Sequence, residues 1–285
     1  MRLKIFACHH LPPDFTCNTE IFQTLVSNVP APADGSFMSD LGGINIGGDN
    51  LYSEMRHQFF VWKNLLGDYD HVGFEHYRRP FFIDPLPAEQ LRAGFPDVWM
   101  MRLYLTAYNY AGLLRGQDMF ERYLTMRRSL DDAAIERTRQ WIGGYDVVAP
   151  RPNHENIETQ WKSCFDDDIY WNTMVEAVNQ SRFFSTRVNR IFFQLENCYF
   201  CNMYIMRTEL LDEYLTFCFE IMDYLHDHLT MKGRALGYFS ERLFSFWLYH
   251  KRIEMPCLRV LELPFVMLKR EDAIGDPRVA AAPLI

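Results

Sequence analysis

Tyr69-Asp70-His71-Val72-Gly73-Phe74-Glu75-His76-Tyr77-Arg78-Arg79-Pro80-Phe81-Phe82 is the stretch on which the reading of this chain turns. Residues 71–76 are short, apolar and bounded by polar residues, the pattern of a buried strand. Pro80 stops the run, and an imidazole and two guanidiniums come just before the stop. Arginine loses solvation when partly buried, so two in a row at a strand exit ask for an anionic partner. Planar five-donor groups suit phosphate oxygens, and the carboxyl ends of strands are where open α/β sheets bind ligands. The other reading pairs both arginines with acids of the same surface.

Working outward, residues 3–8, 145–149, 199–206 and 258–263 give further strand signals, the second closed by Pro150 and Pro152. Helical spacing joins Leu51, Met55, Phe59, Trp62 and Leu66, with Asn50 placed as the N-cap, and again Leu211, Tyr214, Cys218, Ile221 and Leu225. Residues 240–250 and 118–142 predict two more helices, the second long. Strands alternating with helices predict an α/β sheet covered on both faces. Residues 86–142 carry helical patterns without strand signals and read as a helical insertion within one domain spanning 1–270, followed by a patternless tail at 271–285. The glycine-rich loop 34–49 is followed by no Gly-Lys-Ser/Thr, so it is no P-loop, and it does not match the dinucleotide fingerprint.

Composition narrows the function. A net charge of −8 excludes general nucleic-acid binding, which needs broad positive potential, so phosphate recognition must be local. Twenty-three Phe and fifteen Tyr supply packed faces and stacking surfaces for ligand rings. Seven Cys at no framework spacing point to a reduced, cytoplasmic compartment. The stretch between Arg102 and Arg115 is too short and polar to span a bilayer. It reads as a core helix, a partner contact or an interfacial segment at the inner face of the membrane.

Several ordered blocks resemble a bacterial glycosyltransferase-like family of capsule and O-antigen loci, long catalogued only as a domain of unknown function. They are Asp40-Leu41-Gly42-Gly43-Ile44-Asn45-Ile46, then Asn50 and Glu54, Trp62-Lys63-Asn64, His76-Tyr77-Arg78-Arg79, Cys201-Asn202-Met203-Tyr204-Ile205-Met206 and Gly237-Tyr238-Phe239-Ser240-Glu241-Arg242-Leu243. The resemblance covers roughly residues 4–252. It implies a GT-A-like, Rossmann-type mixed sheet flanked by helices and a transferase using a nucleotide-sugar donor, UDP-linked in some relatives that move galactofuranose. The acceptor it implies is a saccharide of a growing surface polysaccharide. Ser53-Glu54-Met55-Arg56, Pro80 and Phe165 depart from the family's usual residues, which bears on sugar specificity.

In that light His76, Arg78 and Arg79 are expected to neutralise the departing diphosphate without a metal. Glu241, after Ser240 as N-cap, is the expected general base. Asp168 is placed at the acceptor. Donor contacts are expected from His9, His10, Asp40, Asn45, Asn50, Asn202 and Arg242, with Arg234 assisting; Trp161 and Trp171 stack on a sugar or fill core. Glu54 reads as a dipole partner in the first turn of its helix. The Asp166-Asp167-Asp168 triplet offers a site for Mg²⁺ or Mn²⁺, the less favoured reading, because no strand precedes it. Two rival functions stand beside the transferase: a non-catalytic nucleotide- or glycan-binding module, and a metal-dependent hydrolase built on that triplet.

Overall fold

All six residues of the strand at His71–His76 are buried, which requires a sheet covered on both faces. The computed structural model describes residues 1–47, 50–165, 168–183, 195–231 and 233–269. Its elements run β1 (Leu3–His9), β2 (Phe22–Val26), β3 (Met38–Ser39), α1 (Met55–Asn64) and β4 (His71–His76), then α2 (Ala88–Gly94), α3 (Pro96–Ala107), β5 (Gly112–Arg115), α4 (Gln117–Arg128) and α5 (Asp132–Gly143). There follow β6 (Val147–Pro150), β7 (Asn153–His154), α6 (Ile157–Cys164), α7 (Asp168–Gln180) and β8 (Asn197–Cys198). The chain continues through β9 (Tyr204–Arg207), α8 (Thr208–His228), α9 (Ala235–Glu254), β10 (Val260–Leu263) and β11 (Phe265–Leu268).

Seven strands form the main sheet in the order β10-β6-β9-β4-β1-β2-β3. Neighbours are parallel except β9, which runs antiparallel to both β4 and β6. The chain steps outward from β1 to β2 and β3, then returns to lay β4 on the other side of β1. That reversal makes a topological switch point between β1 and β4, where a crevice opens beyond the strand ends. Because β9 is reversed, its entry lies at that same edge.

Side chains alternate across β4 and set the two layers. Phe74 meets Tyr204 edge-on at 5.8 Å, and Tyr204 in turn packs on Tyr214 of α8 and Phe244 of α9. Glu75 faces the opposite layer, where Arg127 of α4 donates to it at 2.8 and 3.2 Å with both side chains buried. The Arg127 guanidinium also lies 3.5 Å from the centre of the Phe22 ring. Gly73 pairs with Ile205 across the β4–β9 ladder, and a Cβ there would come 2.6 Å from Ile205 Cγ1. Gly73→Ala is therefore expected to cost about 1–3 kcal/mol through overpacking. A lowered urea midpoint at unchanged slope would register it.

Four expectations from sequence are corrected. Cys201 and Asn202 adopt positive φ (78° and 50°), so the strand expected from residue 199 starts only at Tyr204. The helix expected from Asn50 is divided by Ser53 at φ 50° into a 3₁₀ turn, Asn50–Tyr52, and α1, whose N-cap position falls to Glu54. The long helix at 118–142 breaks after Arg128 and restarts where the Asp131 carboxylate accepts the Ala134 N–H at 2.7 Å. The helical insertion contains β5, paired in parallel with β11 in a small second sheet. Gly112-Leu113-Leu114-Arg115 does not alternate, so it carries no strand signal. The expected tail, 271–285, lies outside the described residues. Among the described residues no helix is long and apolar enough to cross a membrane.

Candidate functional site

The exits of β1 and β4, the start of α1, the turn before β9 and the first turns of α9 converge on the crevice. A cavity of about 380 Å³ opens there, lined among others by His10, Asn28, Glu54, Arg56, Tyr77 and Arg234. His76 Nδ1 accepts the Arg78 N–H at 3.2 Å, which leaves the proton on Nε2, 3.1 Å from Glu54 Oε1. Burial pushes the His76 pKa down to about 4, against the pull of Glu54, so the ring is neutral at pH 7 and acts as a donor. Burial opposes the charge on Glu54 too, but hydrogen bonding from His76, the Arg234 guanidinium at 2.7 Å and the Ser53 hydroxyl outweigh it. Its pKa falls below the ordinary carboxylate value.

Arg79, half-buried, donates to Cys201 Sγ at 3.2 Å and makes no ion pair among the described residues. Burial pushes the Cys201 pKa up to about 11, so that partner is a neutral thiol. Both Glu54 and Glu241 lie within electrostatic range of Arg79. Glu241 Oε1 accepts the Cys201 N–H at 3.1 Å and Oε2 accepts Arg242 Nη1 at 2.9 Å. Burial pushes its carboxyl up, opposed by Arg242 and reinforced by the charge of Glu54. The result is one connected run of groups, Arg234–Glu54–His76 on one side and Arg79–Cys201–Glu241–Arg242 on the other. The two acids shift in opposite directions, and both act electrostatically on Arg79.

Arg78 extends this edge, its guanidinium 5.6 Å from the Tyr77 ring centre. His9 and His10 flank the same tyrosine at 5.5 and 4.9 Å, and burial holds the His9 pKa down at about 3. Asn50 stands at the cavity rim. The remaining candidates do other work. Asp40 is buried against Arg56 Nε at 3.0 Å and accepts the Asn28 N–H at 2.7 Å, so it positions two cavity residues instead of meeting a ligand itself. Asn45 is exposed and turns the loop by accepting the Gly47 N–H at 2.9 Å. Asn202 spends its amide on Gly237 O and the Ser240 hydroxyl.

Ser240 is not an N-cap, because α9 begins at Ala235 and the hydroxyl bonds back to Gly237 O at 2.8 Å. Arg242 is sandwiched among Trp161, Phe165 and Phe200, donates to Tyr238 O and Gln160, and orients Glu241. Asp168 opens α7 with its side chain 76% exposed, 3.9 Å from Lys162, and no bond joins it to this cluster. Asp166 and Asp167 lie outside the described residues. Trp161 and Trp171 are core, not platforms. Glu54 is the residue sequence reasoning passed over. Its helix-start position already explained an acid, and its partners are far away in the chain.

Among the described residues no group of three His, Cys, Asp or Glu side chains could hold a metal ion. At the β4 exit the Glu54 carboxylate already accepts from His76, Arg234 and Ser53.

A family model described as "Domain of unknown function (DUF4422)" matches residues 4–252. No curated protein matches the chain. A solved structure, that of the WbbM bifunctional glycosyltransferase in apo form, shares the fold with a TM-score of 0.65 at 22% identity, over 95% of this chain and 46% of that one. The present chain thus spans about half the length of that protein.

Proposed function

The chain belongs to the DUF4422 family, and on that premise we propose that it is a glycosyltransferase that takes a sugar from a nucleotide-diphosphate donor. The donor is UDP-linked, galactofuranose being one candidate sugar, and the acceptor is a hydroxyl of a bacterial surface polysaccharide. The observation that carries the reading is Arg79, a half-buried guanidinium without an acid of its own, set between an ionised Glu54 and a Glu241 of raised pKa at the switch-point crevice. A diphosphate lying across the exits of β1 and β4 would supply the missing counter-charge, with Arg78 and Arg234 beside it.

In the reaction, an acceptor oxygen forms a bond to the anomeric carbon as the bond from that carbon to the diphosphate breaks. Glu241 receives the acceptor proton, and the guanidiniums stabilise the negative charge developing on the diphosphate. The neutral His76, its Nδ1 fixed by the Arg78 N–H, aims one donor at Glu54, the carboxylate that also pairs with Arg234. The nucleoside is assigned to the side of the cavity lined by Ser27, Asn28 and Arg56.

A thermal-shift screen of UDP-, GDP-, CMP- and dTDP-sugars tests the donor class, since specific binding raises the melting temperature by mass action. One nucleotide family is expected to stabilise the protein. Arg79→Ala should weaken that binding about 10- to 100-fold, the worth of a charge-assisted hydrogen bond. Transfer is expected to persist in excess EDTA. If no nucleotide sugar shifts the transition, the reading fails.

A further inference from the structure

A second cavity, of about 400 Å³, lies away from the switch point between α3 and α5. It is lined over an apolar floor by Asp84, Arg102, Thr106, Arg137, Trp141 and Arg151. Its charges do not balance. Arg102 answers Asp84 across 2.9 Å, but off the hydrogen-bond direction, so Asp84 Oδ1 is buried with no hydrogen bond. Arg137 spends Nε on Pro85 O at 3.0 Å, and Arg151 spends Nη1 on Leu105 O and Tyr110 O, both at 2.8 Å. Neither arginine makes an ion pair among the described residues, and each retains guanidinium donors. Trp141, 37% exposed, presents an indole at the same opening.

These groups are complementary to one kind of molecule. An indole takes the apolar face of a sugar ring, a buried acceptor takes a ring hydroxyl, and convergent guanidiniums take an oxyanion. We propose that this cavity binds an acidic monosaccharide unit, its ring on Trp141, a hydroxyl donating to Asp84, and its carboxylate or phosphate held by Arg137 and Arg151. Nothing in this site depends on the nucleotide-sugar crevice.

Asp84 makes the binding sensitive to pH. Burial, opposed by Arg102, pushes its pKa up to about 7. Above that value its negative charge repels an anionic ligand, and below it the neutral acid does not. The charged groups facing it are Arg102 from α3, Arg137 from α5 and Arg151 beyond β6. Affinity for a uronate should therefore fall as pH rises through about 7.

Isothermal titration of the whole chain with glucuronate, galacturonate, glucose 6-phosphate and galactose 6-phosphate tests the proposal, with glucose and inorganic phosphate as controls. At least one acidic sugar should bind about tenfold tighter than glucose, and Arg137→Ala should remove about tenfold of that affinity, as for a lost charge-assisted bond. Arg137 is exposed, so this variant keeps the fold. Asp84→Asn should flatten the pH dependence of uronate binding. Preference for the uronates or for the phosphates identifies the source of the oxyanion. The proposal is overturned if no acidic sugar outbinds glucose, if Arg137→Ala binds like the parent, or if inorganic phosphate matches the sugar phosphates. The titration contains no nucleotide, so its failure leaves the transferase reading standing, and a failed nucleotide screen leaves this one.

Discussion

Glu241→Gln is expected to reduce sugar transfer by about 10²- to 10⁴-fold, the usual worth of a general base, with donor affinity little changed. The amide keeps an oxygen for the Cys201 N–H and fits the same space but gives up the Arg242 bond, so a denaturant melt alongside the assay separates proton acceptance from folding. Burial raises the pKa of this carboxyl, with the charge of Glu54 adding to the effect. The base works only when deprotonated, so the rate in the parent should fall as pH is lowered through that raised value. In the Gln variant that acid limb should vanish. A variant that still binds donor and transfers at the parental rate would dismiss Glu241 as the base. A parent that binds donor and never turns over would instead make the protein a binding module.

Arg127→Met is expected to lower stability by about 3–5 kcal/mol, because it strands the Glu75 carboxylate in the interior. Domains of ordinary stability hold only about 5–15 kcal/mol in all. Glu75 would keep the Phe81 N–H at 3.2 Å as its remaining hydrogen bond in this region. Adding Glu75→Leu should restore most of the loss, since a buried pair replaced by apolar groups of similar size is often close to neutral. Denaturant melts of both variants decide it. A single variant within about 1 kcal/mol of the parent would mean that the pair is solvated or relaxes.

The central strand was legible because its signal is local: six residues with Val72, Gly73 and Phe74 at the centre, ended by a charged cluster and proline. The same holds for α8, whose apolar stripe repeats over many turns. Strand β3 escaped because it is a two-residue strand at the sheet edge, and β2 because Gln23 and Thr24 interrupt its apolar run. The start of β9 was misplaced because Asn202, a residue that readily takes left-handed backbone, sits inside an aromatic run that reads as strand, and Cys201 carries no such signal. At the candidate site, Arg79 was singled out by residue type and its strand-exit setting, whereas Glu241 was singled out on an N-cap at Ser240 that the fold does not have. Glu54 was passed over, since its meaning comes from His76 and from Arg234, 180 positions along the chain. Asp40, Asn202 and Arg242 show the converse, polar residues in promising blocks whose hydrogen-bonding capacity the fold consumes.

The late arrival of β9 has a kinetic consequence. It inserts between β4 and β6, pairing Phe74 with Tyr204 and so closing a loop of well over a hundred residues. Contacts of such separation are slow to form, so the two halves of the crevice should meet among the last events of refolding. Recovery of nucleotide affinity after dilution from urea should then lag behind recovery of helical circular dichroism.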